Sequence, residues 1–179
     1  MNKIEIPLSK TKILLLLIGS SAFVVFGVLF IITPEKFVSP IMRSSEIIRI
    51  VGVAGVLFFG ATGVYGIRKM FDKKVGLTID DNGITDNTNA TSIGLIRWTE
   101  IIEIRRTQVM STKFLLIYIK DPIKTLEKVT GMKRKLMESN MKVYGTPISV
   151  TSTTLKYNFD DLEKLLKERF IEQQQRMNQ

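Results

Sequence analysis

ILLLLIGSSAFVVFGVLFII, residues 13–32, is a run of twenty uncharged and mostly apolar residues. At about 1.5 Å per residue, a helix of this length is about 30 Å long and matches the hydrocarbon core of a bilayer. A second uncharged run, IVGVAGVLFFGATGVYGI, occupies residues 50–67. Because charged residues flank both runs, we predict two transmembrane helices rather than two buried helices of a soluble core.

The first run could also be the apolar region of a cleaved signal peptide, because Lys3, Lys10 and Lys12 precede it. In signal peptides that region is shorter, about 7–15 residues, and a cleavage site of small residues follows it. Residues 32–35 read Ile-Thr-Pro-Glu and do not form such a site. We therefore expect an uncleaved membrane anchor.

Lysine and arginine residues close to the two runs predict how the pair of helices is oriented. The segments before the first run and after the second carry seven of them, whereas the connector at residues 33–49 carries three. The positive-inside rule therefore predicts a multi-pass protein of the cell inner (cytoplasmic) membrane with both termini cytoplasmic. The seven residues are Lys3, Lys10, Lys12, Arg68, Lys69, Lys73 and Lys74.

Glycines in the second run indicate close packing between helices. On a helix, Gly52, Gly55, Gly63 and Gly66 fall near one face, and small residues let helix backbones approach closely in lipid. Two interpretations stay open at this point. The glycines pack either against the first helix of the same chain or against a membrane protein partner, which includes a second copy of the chain.

The remaining sequence predicts a soluble domain. Residues 76–80 and 84–85 flank an Asp-Asn-Gly turn, which is typical of a β-hairpin. The strongest strand is KFLLIYIK, residues 113–120, which is apolar on both faces and is therefore expected at the centre of a sheet. Other predicted elements are strands at 92–98, 101–105 and 147–151, a helix over 124–141 and an amphipathic helix over 159–170 with Asn158 as its N-cap.

These patterns divide the chain into seven segments. The predicted segments are a cytoplasmic tail (1–12), transmembrane helix 1 (13–32), a connector (33–49), transmembrane helix 2 (50–67), a basic juxtamembrane linker (68–75), a soluble domain (76–172) and a frayed tail (173–179).

Several of these stretches resemble a known group of proteins. GLTIDDNGI (76–84), GLIRWTEI (94–101) and YGTPI (144–148), with KFLLIYIK and the closing helix, are similar to bacterial membrane proteins in which two transmembrane helices precede a pleckstrin-homology-like (PH-like) domain. The resemblance covers nearly the whole chain. It implies an α+β chain: an N-terminal transmembrane hairpin, then a PH-like antiparallel strand barrel or sandwich with a C-terminal capping helix. The group is uncharacterised, so the resemblance implies fold and location but no activity.

The composition excludes several kinds of chemistry. The chain has no His and no Cys, which excludes disulfides, zinc fingers, His metal sites and catalysis by Cys or His. An Asp/Asn-rich patch at residues 80–89 suggests calcium, but the EF-hand pattern fails there and turn chemistry explains it better. We expect no metal, no cofactor and no catalytic residue. A carboxylate pair of Glu100 with Glu103 or Asp121 is the remaining enzymatic alternative.

The basic residues are the better functional signal in a chain with a net charge of +9. We expect no nucleic-acid binding, because the chain is anchored and lacks an aromatic–basic recognition pattern. Lysines near one face of the helix predicted over 124–141, with basic residues directly after the second run, favour anionic lipid headgroups; ordinary solvated charge is the alternative. The residues are Lys124, Lys128, Lys135 and Lys142, with Arg68, Lys69, Lys73 and Lys74.

Three functional hypotheses follow. The first is a non-enzymatic integral membrane protein whose cytoplasmic PH-like domain binds a protein partner or the anionic membrane surface, as a scaffold. The second is an accessory or immunity-type subunit of a membrane complex that acts through its transmembrane hairpin. The third, a membrane enzyme, is the least favoured, because no acid–base constellation supports it.

Overall fold

The computed structural model describes residues 3–177, which divide into two compact units. Residues 10–73 form a helical unit, and the residues before and after them form a second unit. The tails predicted at residues 1–12 and 173–179 include Met1, Asn2, Asn178 and Gln179, which lie outside the described residues.

The helical unit consists of α1 (Lys10–Ile32) and α2 (Ser45–Met70), and its connector contains a 3-10 turn (Pro34–Phe37). The Ser44 hydroxyl caps α2 by accepting a hydrogen bond from the Ile47 amide at 3.4 Å. Both helices are long and apolar enough to cross a membrane. Helix α1 contains the first predicted run and extends beyond it at its N-terminal end. Helix α2 contains the second run and extends beyond it at both ends. These extensions include charged residues.

The second unit contains seven strands within residues 3–177, arranged in two antiparallel sheets. The four-stranded sheet has the order β1-β2-β3-β4, and the three-stranded sheet has the order β5-β6-β7. The strands are β1 (Ile4–Ile6), β2 (Leu77–Ile79), β3 (Gly83–Asp86), β4 (Gly94–Arg97), β5 (Ile101–Val109), β6 (Thr112–Ile119) and β7 (Ile148–Val150). The predicted α+β class is confirmed, and β6 is the central strand of its sheet, as its two apolar faces indicated.

Strand β1 corrects the prediction of a tail at residues 1–12. Ile4 pairs with Ile79 and Ile6 with Leu77, so the first strand of the sheet precedes α1 in the chain. Ile6 and Leu8 are buried, and Leu8 forms an isolated bridge with Leu155. This segment folds because its apolar side chains complete the core of the second unit.

Two helices replace the single helix predicted over residues 124–141. Helix α3 (Pro122–Glu127) ends before α4 (Gly131–Tyr144) begins. Gly131, at a φ of +62°, interrupts the helical path, since residues other than glycine rarely adopt this conformation. The lysines expected on one continuous face are therefore divided: Lys124 lies in α3, Lys128 directly follows it, and Lys135 and Lys142 lie in α4.

Helix α5 (Phe159–Met177) closes the unit. The Asn158 side-chain oxygen accepts a hydrogen bond from the Asp160 amide at 2.8 Å, which confirms the predicted N-cap. Leu162 and Leu166 are fully buried. The frayed tail predicted from residue 173 is wrong over 173–177, because the helix continues to Met177 and the Gln173 side chain is buried.

Candidate anion-binding groove

A groove in the second unit is lined by residues from β4, from the 3-10 turn that follows it and from the α3–α4 region. It consists of two adjoining cavities of about 400 and 240 Å³, which share Arg97, Glu100, Thr125 and Lys128. We call it the basic groove. Its full lining is Ile93, Leu95, Arg97, Glu100, Ile119, Lys120, Asp121, Lys124, Thr125, Lys128, Val129 and Lys133.

Backbone contacts bring these distant segments together. The Lys120 amide donates to the Glu100 carbonyl at 2.9 Å, which joins the end of β6 to the turn Trp98–Glu100. Trp98 anchors that turn in the second unit, since it is buried and its indole N–H donates to the Asp80 carbonyl at 2.8 Å. These contacts hold the turn at the end of β6, and Lys120 lies two residues before α3.

Positive charge dominates the lining. Five cationic side chains, those of Arg97, Lys120, Lys124, Lys128 and Lys133, face two carboxylates, those of Glu100 and Asp121. Ammonium and guanidinium groups donate charge-assisted hydrogen bonds to phosphate and carboxylate oxygens. The lining therefore suits an anionic ligand.

Both carboxylates of the groove already stabilise local structure. Glu100 accepts a hydrogen bond from the Arg97 amide at 3.2 Å and lies 3.9 Å from the Arg97 guanidinium. Asp121 caps α3 by accepting from the Lys124 amide at 2.9 Å. The two residues considered above as an acid–base pair do line the same groove, but each of them has a structural role there.

Three of the lysines are available to a ligand. Lys133 donates to the Ser92 carbonyl, which leaves Lys120, Lys124 and Lys128. Within residues 3–177 the side chains of these three lysines form no ion pair and no hydrogen bond, and all three residues are exposed. Their ammonium groups can therefore bind an incoming anion without breaking an existing interaction.

The groove collects only part of the predicted lipid-binding set. Lys124 and Lys128 line it, whereas Lys135 and Lys142 are exposed on α4 outside its lining. Arg68, Lys69 and Lys73 belong to the helical unit, where Lys69 forms an ion pair with Asp72 at 3.1 Å, and Lys74 begins the second unit's main segment.

Sequence reasoning missed Arg97 and Lys120 as groove residues, and it placed Lys133 on the helix predicted over 124–141 without assigning it to a site. Arg97 lies on a strand, Lys120 at a strand end and Lys133 on another helix. Lys120 precedes Lys124 by four residues, but it ends the predicted strand 113–120, and no local spacing relates Arg97 to the lysines. Only the tertiary structure therefore reveals the cluster.

The Asp/Asn-rich patch serves the turns of the first sheet. Asp80 accepts from the Asn82 amide at 2.8 Å, and Asp86 and Asn89 accept from the Thr88 and Thr91 amides. In the part of the chain that the structure describes, His, Cys, Asp and Glu side chains form no group of three that could hold a metal ion. Turn chemistry therefore accounts for these residues.

Three of the four glycines predicted to pack between helices lie against α1. A Cβ atom on Gly52 would be 2.7 Å from the Gly27 carbonyl oxygen, and one on Gly66 would be 2.8 Å from a Leu17 methyl carbon. Gly63 has the Ser20 hydroxyl at 3.5 Å, while Gly55 has no atom within 4 Å of its Cβ position. The intramolecular hairpin uses Gly52, Gly63 and Gly66, and it leaves open space at the Cβ position of Gly55.

Comparison of the chain with protein-family models, curated proteins and solved structures finds no match. The function must therefore be inferred from the geometry and charge of the groove.

Proposed function

We propose that this chain is a two-pass protein of the cytoplasmic membrane whose cytoplasmic PH-like unit binds the anionic inner leaflet through the basic groove. In this role the protein is a non-enzymatic scaffold, held at the membrane surface in a defined orientation. One observation carries the proposal: a groove with five cationic side chains, three of them unpaired among the described residues, occurs in a chain with two candidate membrane-spanning helices.

The strand arrangement supports the PH-like part of the proposal. The resemblance implies a strand barrel or sandwich with a C-terminal capping helix, and a standard PH barrel has seven strands before that helix. The second unit has seven strands in sheets of four and three, followed by α5. The seventh strand needed for this count is β1, which precedes the helical hairpin, so the hairpin is an insertion between the first two strands.

The pairing of β1 with β2 also supports the topology. Strands that share a sheet must lie in the same compartment, and β1 precedes α1 whereas β2 follows α2. Both ends of the hairpin therefore lie on one side if α1 and α2 span the membrane. The excess of lysine and arginine outside the connector favours the cytoplasm as that side.

Because the connection from α2 to the second unit is short, a modest affinity for lipid is sufficient to keep the basic groove at the membrane surface. Six residues, 71–76, separate α2 from β2, and such a segment spans at most about 20 Å. A tethered site experiences a high effective concentration of lipid headgroups. Each lysine near an anionic surface contributes about 1 kcal/mol, so three unpaired lysines can bias the orientation of a tethered domain.

Amide hydrogen exchange of the full-length protein in nanodiscs tests the proposal. We expect slower exchange at residues 94–100 and 120–128 in discs that contain phosphatidylglycerol than in discs of phosphatidylcholine alone. The double variant K124E/K128E should abolish this difference. The control K156E/K164E changes the net charge equally at exposed sites outside the groove lining and should preserve it. Equal exchange of the wild-type protein in both discs would overturn the proposal.

A further inference from the structure

Helix α4 presents an apolar stripe away from the core of the second unit. Met132, Leu136 and Val143 are 71%, 41% and 67% exposed. Their spacings of four and seven residues place them on one face of the helix. Met137, about 100° around the helix from Leu136, is fully buried and attaches the helix to the unit.

Lysines border this stripe along one side. Lys135 and Lys142 are seven residues apart, each one position before a stripe residue, and both are exposed. Within residues 3–177 their side chains have no ion pair and no hydrogen bond. Beside α4, Ile123 on α3 is 67% exposed and precedes Lys124 of the basic groove.

No acidic side chain of α4 forms an ion pair with Lys135 or Lys142. The only acidic residue of α4 is Glu138, which forms an ion pair with Arg134 at 2.8 Å. Exposed apolar side chains bordered by unpaired lysines are typical of helices that lie in the headgroup region of anionic bilayers. A second copy of this chain would bring the same positive face, so charge complementarity favours the bilayer as the occupant.

We propose that α4 lies in the surface of the inner leaflet, with Met132, Leu136 and Val143 at the boundary between headgroups and acyl chains. Lys135 and Lys142 then contact the lipid phosphates. This inference rests on the proposed function and adds an apolar insertion to the electrostatic contact of the basic groove. It also explains why apolar side chains stay exposed on a helix that Met137 attaches to the unit.

Site-specific fluorescence tests the insertion, since the chain has no native cysteine. Single cysteines replace Met132, Leu136 or Val143 in the full-length protein, which is labelled with the polarity-sensitive fluorophore NBD and placed in phosphatidylglycerol-containing nanodiscs. We expect blue-shifted emission and strong quenching by lipids spin-labelled high on the acyl chain. A label at the exposed residue Glu168 of α5 is the control and should report water. The K135Q/K142Q background should reduce the blue shift.

A label at Thr125 in the basic groove separates failure of this inference from failure of the proposed function. Protection of the Thr125 label from an aqueous quencher in anionic discs, with the α4 labels in water, overturns the insertion and leaves the proposed function standing. Labels that report water at Thr125 and on α4 alike overturn both. A blue shift on α4 that is equal in phosphatidylcholine discs overturns the role of Lys135 and Lys142.

Discussion

Ile6 pairs with Leu77 in the four-stranded sheet, although the entire helical unit separates these residues in the chain. The helical hairpin is therefore an insertion between two adjacent strands. A membrane protein built in this way has to bring its first strand and its later domain to the same side of the bilayer before the sheet can form.

Cysteine accessibility in sealed membrane vesicles tests this topology. Single cysteines at Glu5 and at Lys164 should react with a membrane-impermeant maleimide from the same side. A cysteine at Ile41, which is 94% exposed in the connector, should react from the opposite side. Reaction of the Glu5 and Lys164 variants from opposite sides would contradict the shared sheet.

Removal of the Ile6 side chain from β1 should destabilise the second unit. The Ile6 side chain is only 2% exposed, and replacement of a buried isoleucine by alanine costs about 2–5 kcal/mol. We expect I6A to lower the free energy of unfolding by this amount, measured on the full-length protein through the fluorescence of Trp98. E5A, an exposed change in the same strand, should cost less than about 0.5 kcal/mol. A loss of unfolding free energy in I6A as small as that in E5A would contradict a stabilising role of the Ile6 side chain.

A larger side chain at Gly52 should separate the two helices of the hairpin. G52L places atoms where the Gly27 carbonyl and the Phe30 Cβ already lie, whereas G55L meets open space. Cysteines at Phe23 and Phe59, whose ring centroids are 4.3 Å apart, allow crosslinking with a short bismaleimide. We expect crosslinking to fall in G52L and to persist in G55L.

Loss of a membrane partner in G55L despite normal crosslinking would favour the accessory-subunit hypothesis.

A methyl group at Gly83 should disturb the β3–β4 pair. Its Cβ would lie 2.0 Å from the Ile96 carbonyl oxygen, which is backbone and cannot move aside easily. We expect G83A to lower the free energy of unfolding by at least about 2 kcal/mol. The matched control is T85A on the exposed side of the same strand, which should be close to neutral. Unchanged stability of G83A in thermal unfolding would contradict the close approach.

Local patterns were sufficient for most elements of the fold. The predicted strand at 113–120 matches β6 because a run that is apolar on both faces is a local signal of a central strand. Strand β1 was missed because it is only three residues long and ends before Pro7. Its partner, β2, follows about seventy residues later in the chain. The break between α3 and α4 depends on the backbone conformation of Gly131, and the apolar spacing continues across it.

The basic groove was beyond sequence reasoning for a different reason. Its cations come from β4, the end of β6, the α3 segment and α4. Hydrogen bonds from Lys120 to Glu100 and from Lys133 to Ser92 connect these segments in the fold. The sequence indicated that the lysines of residues 124–142 are functional. It could not distinguish Lys124 and Lys128, which line the groove, from Lys135 and Lys142 on the surface of α4.

Energy transfer from Trp98 to the bilayer tests the central claim most directly. Trp98 is the only tryptophan, and it lies in the chain between the groove residues Arg97 and Glu100, so it reports on the position of the second unit without labelling. In nanodiscs with dansyl-labelled headgroups, we predict higher transfer efficiency with phosphatidylglycerol than with phosphatidylcholine alone. High salt and K124E/K128E should remove the difference, because both weaken the contact of the lysines with lipid phosphates. Equal transfer efficiency in the two disc types at low salt would contradict binding of the groove to the anionic membrane surface.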